Sequence, residues 1–201
     1  MDGADRSESP GDGMSDLATF FRMAVNEFGK RVDFIEDDQW DAPTPCTEWN
    51  VRDLVNHIVN ENKWVPPLLE GKRIADVGDR FDGDLLGNDP KGAWNQASKE
   101  AIGAVEEPGV ENKIVHVSFG DIPGHEYISQ VLCDHVIHAW DLAIGIDDDD
   151  ELDPDLVDFA YDFYEPQFEI WRDAGSFGPE VDVPDDADEQ TKLLAATGRE
   201  R

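Results

Sequence analysis

"CDHVIHAWDLAIG", residues 133–145, is the stretch on which the reading of this chain turns. Most of it is apolar enough for a buried helix, yet it contains Asp134, His135, His138 and Asp141. A charge placed in a core is tolerated only when it is paired or ligated, so each of these side chains needs a partner. On a wheel of about 100° per residue, Asp134 and His138 are four apart and share a face, and Asp141 falls near the same edge. Ile128, Val131, Leu132, Ala139 and Leu142 form an apolar arc beside that pair, which puts the pair at the border of the core. His135 falls nearer the middle of the arc. The wheel therefore leaves two pairings open, Asp134 with His138 or His135 with His138.

Outward from this helix, four more segments carry helical signals. "SDLATFFRMAVNEFGKRVDFI" has apolar residues at 17, 20, 21, 24, 25, 28, 32 and 35, with Ser15 as its N-cap. A second helix opens at Asn50, with Asp53 near the positive end of its dipole, and is expected to run until Pro66 and Pro67 disrupt it. A third enters through Asp89 and Pro90 and closes at Pro108 and Gly109. "NKIVHVSFGDIPG" predicts a short strand or extended loop. The helix holding the opening stretch ends at Gly145 as its C′ residue. Asp153 and Pro154 open a fifth helix, broken at Pro166, and the tail is irregular with a short final helical turn. Residues 71–90 read as a long loop. Four principal helices with little strand predict an all-α protein, an up-and-down helix bundle with an irregular C-terminal extension.

The chain has 201 residues, enough for one ordinary domain with a proper core. Its formal net charge of −31 is extreme, from 47 Asp and Glu against 16 Lys and Arg. Such a surface repels nucleic acid and anionic membranes, so neither is expected as a partner. The acidic residues are spread along the chain, as in proteins of salt-saturated cytoplasm, where high ionic strength screens the repulsion. The competing reading is an acidic interaction protein. Two cysteines, Cys46 and Cys133, make no disulfide framework. No segment reaches the ~20 apolar residues of a membrane span. The polar start "MDGADRSESPGDG" has no apolar core of a signal peptide. Residues 1–14 are expected to be a disordered extension, with Met14 a candidate start, and residues 15–201 a single domain in the cytoplasm.

The second helix repeats the pattern of the helix that carries Asp134 and His138. Leu54, Val55, Ile58 and Val65 form its apolar arc, Val51 helps, and His57 and Glu61 lie on the arc's edge. If the two helices are neighbours, His57, Asp134 and His138 converge in the bundle interior. Two imidazoles and a carboxylate suit zinc or another divalent transition ion, and three protein ligands leave a position open for water or substrate. The bland alternative is that each histidine is a core residue hydrogen-bonded to a carbonyl or carboxylate. Spacing alone leaves the two readings level. Asp141 either orients His138 or binds backbone near the helix end. Cys46, Cys133, Trp49 and Trp140 read as packing residues, and His116 and His125 as solvent-facing or structural.

"PTPCTEWNVRDLVNHIV" (43–59), "DHVIHAWDLAIG" (134–145) and the tail "FGPEVDVPDDADEQTKLLAATGR" together resemble the mycothiol-dependent maleylpyruvate isomerase-like proteins of the DinB/YfiT-like metalloenzyme superfamily. The resemblance covers most of the chain from Ser15 onward, and the tail is similar to that of small actinobacterial and haloarchaeal members known as metal-binding proteins. It implies a four-helix bundle binding one divalent metal, zinc first and nickel or iron next. The implied metal ligands are His57, from the second-helix motif, with Asp134 and His138 from an acidic-x-x-x-His pair. The isomerase has a glutamate where Asp134 stands. The resemblance further implies a low-molecular-weight thiol held as thiolate for isomerisation or S-transfer. A salt-adapted archaeon would need a thiol other than mycothiol, and the few basic residues leave a dicarboxylate substrate few anchors. Three functions follow as expectations: a metal-dependent thiol transferase or isomerase, a metal-dependent hydrolase on the same ligands, or a non-enzymatic metal-stabilised protein. A small-molecule substrate or thiol is the expected partner, with homodimerisation through exposed bundle faces.

Overall fold

A computed structural model describes residues 16–201. The expected extension over 1–14 and the N-cap at Ser15 lie outside them. Helix α1 spans Asp16–Phe34, α2 Val51–Leu69, the short α3 Ile74–Val77 and α4 Pro90–Val105. A hairpin of β1 (Ile114–Val117) and β2 (Gly120–Pro123) leads into α5, Gly124–Ile146. Then come α6 (Pro154–Tyr164), α7 (Phe168–Asp173) and α8 (Glu189–Ala196). The protein is all-α, with two short antiparallel strands registered Ile114 to Pro123 and Val117 to Gly120.

The bundle is made of α1, α2, α4 and α5. Both α1 and α2 pack on α4 and on α5, so α1 and α2 stand at opposite corners. The expected up-and-down order is thereby altered, because the chain crosses the bundle between α1 and α2 and again between α4 and α5. The segments 35–50 and 106–123 are long enough to make those crossings. Helix α5 is buried along most of its length, from Tyr127 to Ala143, because α1, α2 and α6 cover it on successive sides. One contiguous apolar cluster runs from Phe21 and Phe28 through Leu54, Ile58, Leu132 and Leu142 to Leu156, Leu193 and Leu194. Among the described residues no helix is long and apolar enough to cross a membrane.

Three boundaries differ from expectation, each for a local reason. Helix α2 continues through Pro66 and Pro67 to Leu69. The two prolines remove only two ladder bonds near the helix end, and burial of Pro67, Leu68 and Leu69 offsets them. The loop 71–90 includes the one-turn α3, where Arg73 N–H donates to the Asp76 carboxylate at 2.9 Å. Helix α5 passes through Gly145 and ends at Ile146, with Asp147 taking the left-handed conformation at φ 58°. Gly145 serves close approach instead of termination. A Cβ there would lie 3.1 Å from both Thr44 Cγ2 and Val51 Cγ2, so the loop before α2 rests directly on the α5 backbone.

The acidic linker after α5 is held by its backbone. Arg31 of α1 is buried, pairs with Glu27 at 2.7 Å, and donates to the carbonyls of Asp149 at 3.2 Å and Glu151 at 2.9 Å. The C-terminal segment returns over α6, on which α8 packs, and Arg199 is carried back to the bundle.

Candidate metal centre

The loop 43–50 and the first turns of α2 form one side of the site. Asn50 caps α2 reciprocally: Asp53 N–H donates to Asn50 Oδ1 at 2.9 Å, and Asn50 N–H to Asp53 Oδ2 at 3.2 Å. This capping box starts the helix so that His57 reaches the second turn on the face toward α5. Thr44 Oγ1 donates to the Trp49 carbonyl at 2.8 Å, and Trp49 N–H donates to the Cys46 carbonyl at 2.7 Å. The folded loop thus presents both Cys46 and Trp49 to the same space.

Across it, α5 supplies Asp134 and His138 on one face. His57 Nε2 lies 3.0 Å from Asp134 Oδ2, and His138 Nε2 lies 3.4 Å from Asp134 Oδ1. The two imidazole rings stand at 77° with centroids 5.1 Å apart. One donor atom from each of His57, Asp134 and His138 falls within 4.8 Å of the others. Bonds of 2.0–2.1 Å in a tetrahedral site would set donors about 3.4 Å apart, so the present spacing fits a shared cation with little rearrangement. The three residues suit the group by chemistry as well, two borderline nitrogen ligands and one anionic oxygen.

His135, the rival on the wheel, takes no part in that cluster. It is fully buried on the opposite side of α5, with the rings of Phe21, Phe28 and Trp94 around it at centroid distances of 5.9, 6.1 and 6.1 Å. Its Nδ1–H donates to the Val131 carbonyl at 2.7 Å, and its Nε2 is buried without a partner. Burial pushes its pKa down to about 4, so it is a neutral core histidine.

Behind His138 lies a second layer of contacts. Its Nδ1–H donates to Asp141 Oδ2 at 2.8 Å, which settles the two readings of Asp141 in favour of orienting the ring. Asp141 is fully buried, and Arg199 grips both of its oxygens, Nε to Oδ1 at 2.9 Å and an η nitrogen to Oδ2 at 2.7 Å. Burial works against the Asp141 charge, and the guanidinium outweighs it, holding this carboxyl well below the usual range. Cys46 Sγ–H donates to Asp141 Oδ2 at 3.3 Å, with His138 Nδ1 at 3.8 Å and Arg199 at 3.9 Å. Cys46 and Arg199 are the residues that sequence reasoning missed. Their partners on α5 are far away in the chain: the folded loop before α2 brings in Cys46, and the returning tail brings in Arg199.

Trp49 packs against the core as expected, and it also faces the ligand cluster. Its indole lies against both imidazoles, with centroids 4.7 Å from His57 and 5.8 Å from His138. Trp140 and Cys133 are core residues as expected, and His116 pairs with Asp121 on the hairpin at 2.6 Å. The electrostatics of the ligand cluster follow from its burial. Desolvation disfavours charge on both His138 and Asp134, and their mutual attraction overcomes it, raising the imidazole pKa and lowering the carboxyl one. Burial and the Asp134 charge raise the pKa of nearby Glu61 to about 7, outweighing the opposing pull of His57 and His138.

Cys46, Trp49, His57, Glu61, Asp134, His138 and Arg199 open on one cavity of about 960 Å³, walled by α2, α5, the hairpin and the C-terminal segment. Comparison with known proteins is in keeping with this layout. Two uncharacterised proteins of Mycobacterium tuberculosis, from strains CDC 1551 / Oshkosh and ATCC 25618 / H37Rv, are each 29% identical over 140 residues, covering 68% of this chain and 70% of theirs. No solved structure matches the chain significantly. The family model of the mycothiol maleylpyruvate isomerase N-terminal domain matches residues 21–143, which include His57, Asp134 and His138. The chain belongs to the mycothiol maleylpyruvate isomerase N-terminal domain family, of DinB-like type.

Proposed function

We propose that this protein is a divalent-metal-dependent enzyme of the thiol transferase or isomerase type, with His57, Asp134 and His138 holding the metal. The observation that carries the reading is the convergence of those three donors at the wall of a ligand-sized cavity. Zinc suits the donor set first, with nickel or iron as the other candidates. When bound, such a cation supplies Lewis acidity that favours the deprotonated form of a thiol or water at neutral pH.

The protein's own residues do the rest. Asp134 neutralises part of the cation's charge and sits between the two imidazoles. Asp141 accepts the Nδ1 proton of His138 and so leaves Nε2 free as a ligand, while Arg199 keeps Asp141 ionised and in place. Trp49 covers both imidazoles and excludes water from that side.

Metal analysis of the purified protein tests the assignment, combined with cobalt substitution and titration with 2-mercaptoethanol. The expected result is a visible spectrum that shifts and intensifies as sulfur joins the cobalt. An unchanged spectrum at saturating thiol would transfer the reading to a hydrolase on the same residues. A cobalt-free protein that is fully folded would remove the metal from the account.

A further inference from the structure

The chemistry of the ligand is addressed by the cavity wall next to the metal cluster. Glu61 stands one turn beyond His57 on α2 and lines the cavity. Among the described residues its carboxylate has no hydrogen-bond or ion-pair partner. Tyr127 of α5 lines the same cavity and is only 5% exposed, and its hydroxyl is buried with no partner either. Glu61 and Tyr127 thus face one cavity from α2 and α5. The Tyr127 hydroxyl, withdrawn from water and left unmatched, costs the molecule stability that a ligand donor would recover, and Glu61 adds an unpaired acceptor on the same cavity wall.

The rest of the lining narrows the class. Outside the metal cluster, acidic groups are supplied by Glu48 and Glu61, whereas Arg199 is the sole Lys or Arg among the lining residues. Its guanidinium is committed to both oxygens of Asp141, so a ligand carboxylate would find no unpaired Lys or Arg in the cavity. Trp49, Trp64, Phe119, Tyr164, Trp171 and Phe177 supply flat apolar surface, and aromatic faces attract cations.

We propose that the cavity takes an amine-bearing ligand with an aromatic or apolar body, whose ammonium donates to Glu61 and to Tyr127 Oη, and that it discriminates against carboxylates. The proposal rests on the preceding reading only in taking this cavity as the ligand site.

Three probes of one shape separate charge from bulk: phenethylamine, 2-phenylethanol and phenylacetate. Each is titrated into the purified protein with its natural metal content, in high salt, and followed by fluorescence of the cavity tryptophans. The pH is held at about 8.5, where the Glu61 carboxyl is ionised and the amine still charged. Phenethylamine is expected to bind at least about tenfold more tightly than phenylacetate, the size of one charge-assisted hydrogen bond. Glu61→Gln, which keeps the shape, is expected to abolish most of that preference, and Tyr127→Phe to reduce it by a smaller factor. Glu36→Gln, outside the cavity, removes the same unit of charge and is expected to leave the ratio unchanged. Equal affinities, tighter phenylacetate binding, no saturable binding of any probe, or a preference that survives in folded Glu61→Gln would overturn the proposal. The cobalt titration with 2-mercaptoethanol reads the metal-and-thiol assignment separately, so failure of either leaves the other measurable.

Discussion

Asp141 carries its charge with none of its surface exposed, and the fold tolerates this because Arg199 donates to both of its oxygens. Removing one partner of a buried ion pair is costlier than the pair's net worth, since the other charge is left stranded. Arg199→Met is therefore expected to destabilise the protein by about 3 kcal/mol. It should also weaken metal binding about tenfold or more by freeing the His138 ring. Chemical denaturation and competition with a metal chelator measure the two effects, and a variant unchanged in both would sever Arg199 from the site. Asp141→Asn should lower metal affinity in the same way. His135 gives a separate prediction in pH. Its folded pKa of about 4 lies below the ordinary value of 6.5, so the unfolded chain binds the proton more readily. Stability from this group is complete above pH 6.5 and is lost as pH falls toward 4. The loss amounts to about 3 kcal/mol, since one pKa unit is worth about 1.4 kcal/mol. His135→Met should flatten the stability profile in that window, and an equally steep fall in the variant would assign the slope elsewhere.

At the level of elements, the site depends on how α2 begins and how the tail ends. Asn50→Ala removes the side-chain acceptor of the capping box and is expected to cost about 1 kcal/mol, read as a lowered denaturation midpoint. Gly198 matters for a different reason. It takes φ 86°, and a Cβ there would lie 2.6 Å from the Gly178 Cα. Gly198→Ala therefore forces the two tail segments apart and should release Arg199 from Asp141. Protease sensitivity of the C-terminal segment, alongside metal affinity, measures this, and an unaffected variant would show that the close approach is dispensable. Much of this level was legible in the sequence. The spacing of Asp134 and His138 placed them on one helix face, and the cap at Asn50 and the entry at Asp89 and Pro90 were correct. The choice of Asp134 over His135 was not legible from the wheel, because both lie near the apolar arc and only the aromatic residues of α1 and α4 show which side is core. Cys46 and Arg199 were illegible for a simpler reason: they are 153 residues apart, and no local pattern links them. The two prolines misled because helix-end burial, which offsets the lost bonds, is a tertiary effect.

Across the whole molecule, the net charge of −31 is the dominant long-range term. The bundle holds a continuous core beneath an acidic surface, and the self-repulsion of that surface is screened only by salt. Thermal stability is expected to rise with potassium chloride concentration well beyond the range where ordinary proteins level off. A midpoint independent of salt would mean that the surface charges are already compensated. The central claim concerns a single cation bound between α2 and α5. Metal content per folded chain, measured by mass spectrometry on protein purified in high salt, tests it most directly. The account predicts one equivalent of a divalent transition metal in the natural chain and none in a folded His57→Ala/His138→Ala variant. A folded natural chain that is metal-free and stays so when zinc is supplied would contradict it, as would a double variant that keeps its metal.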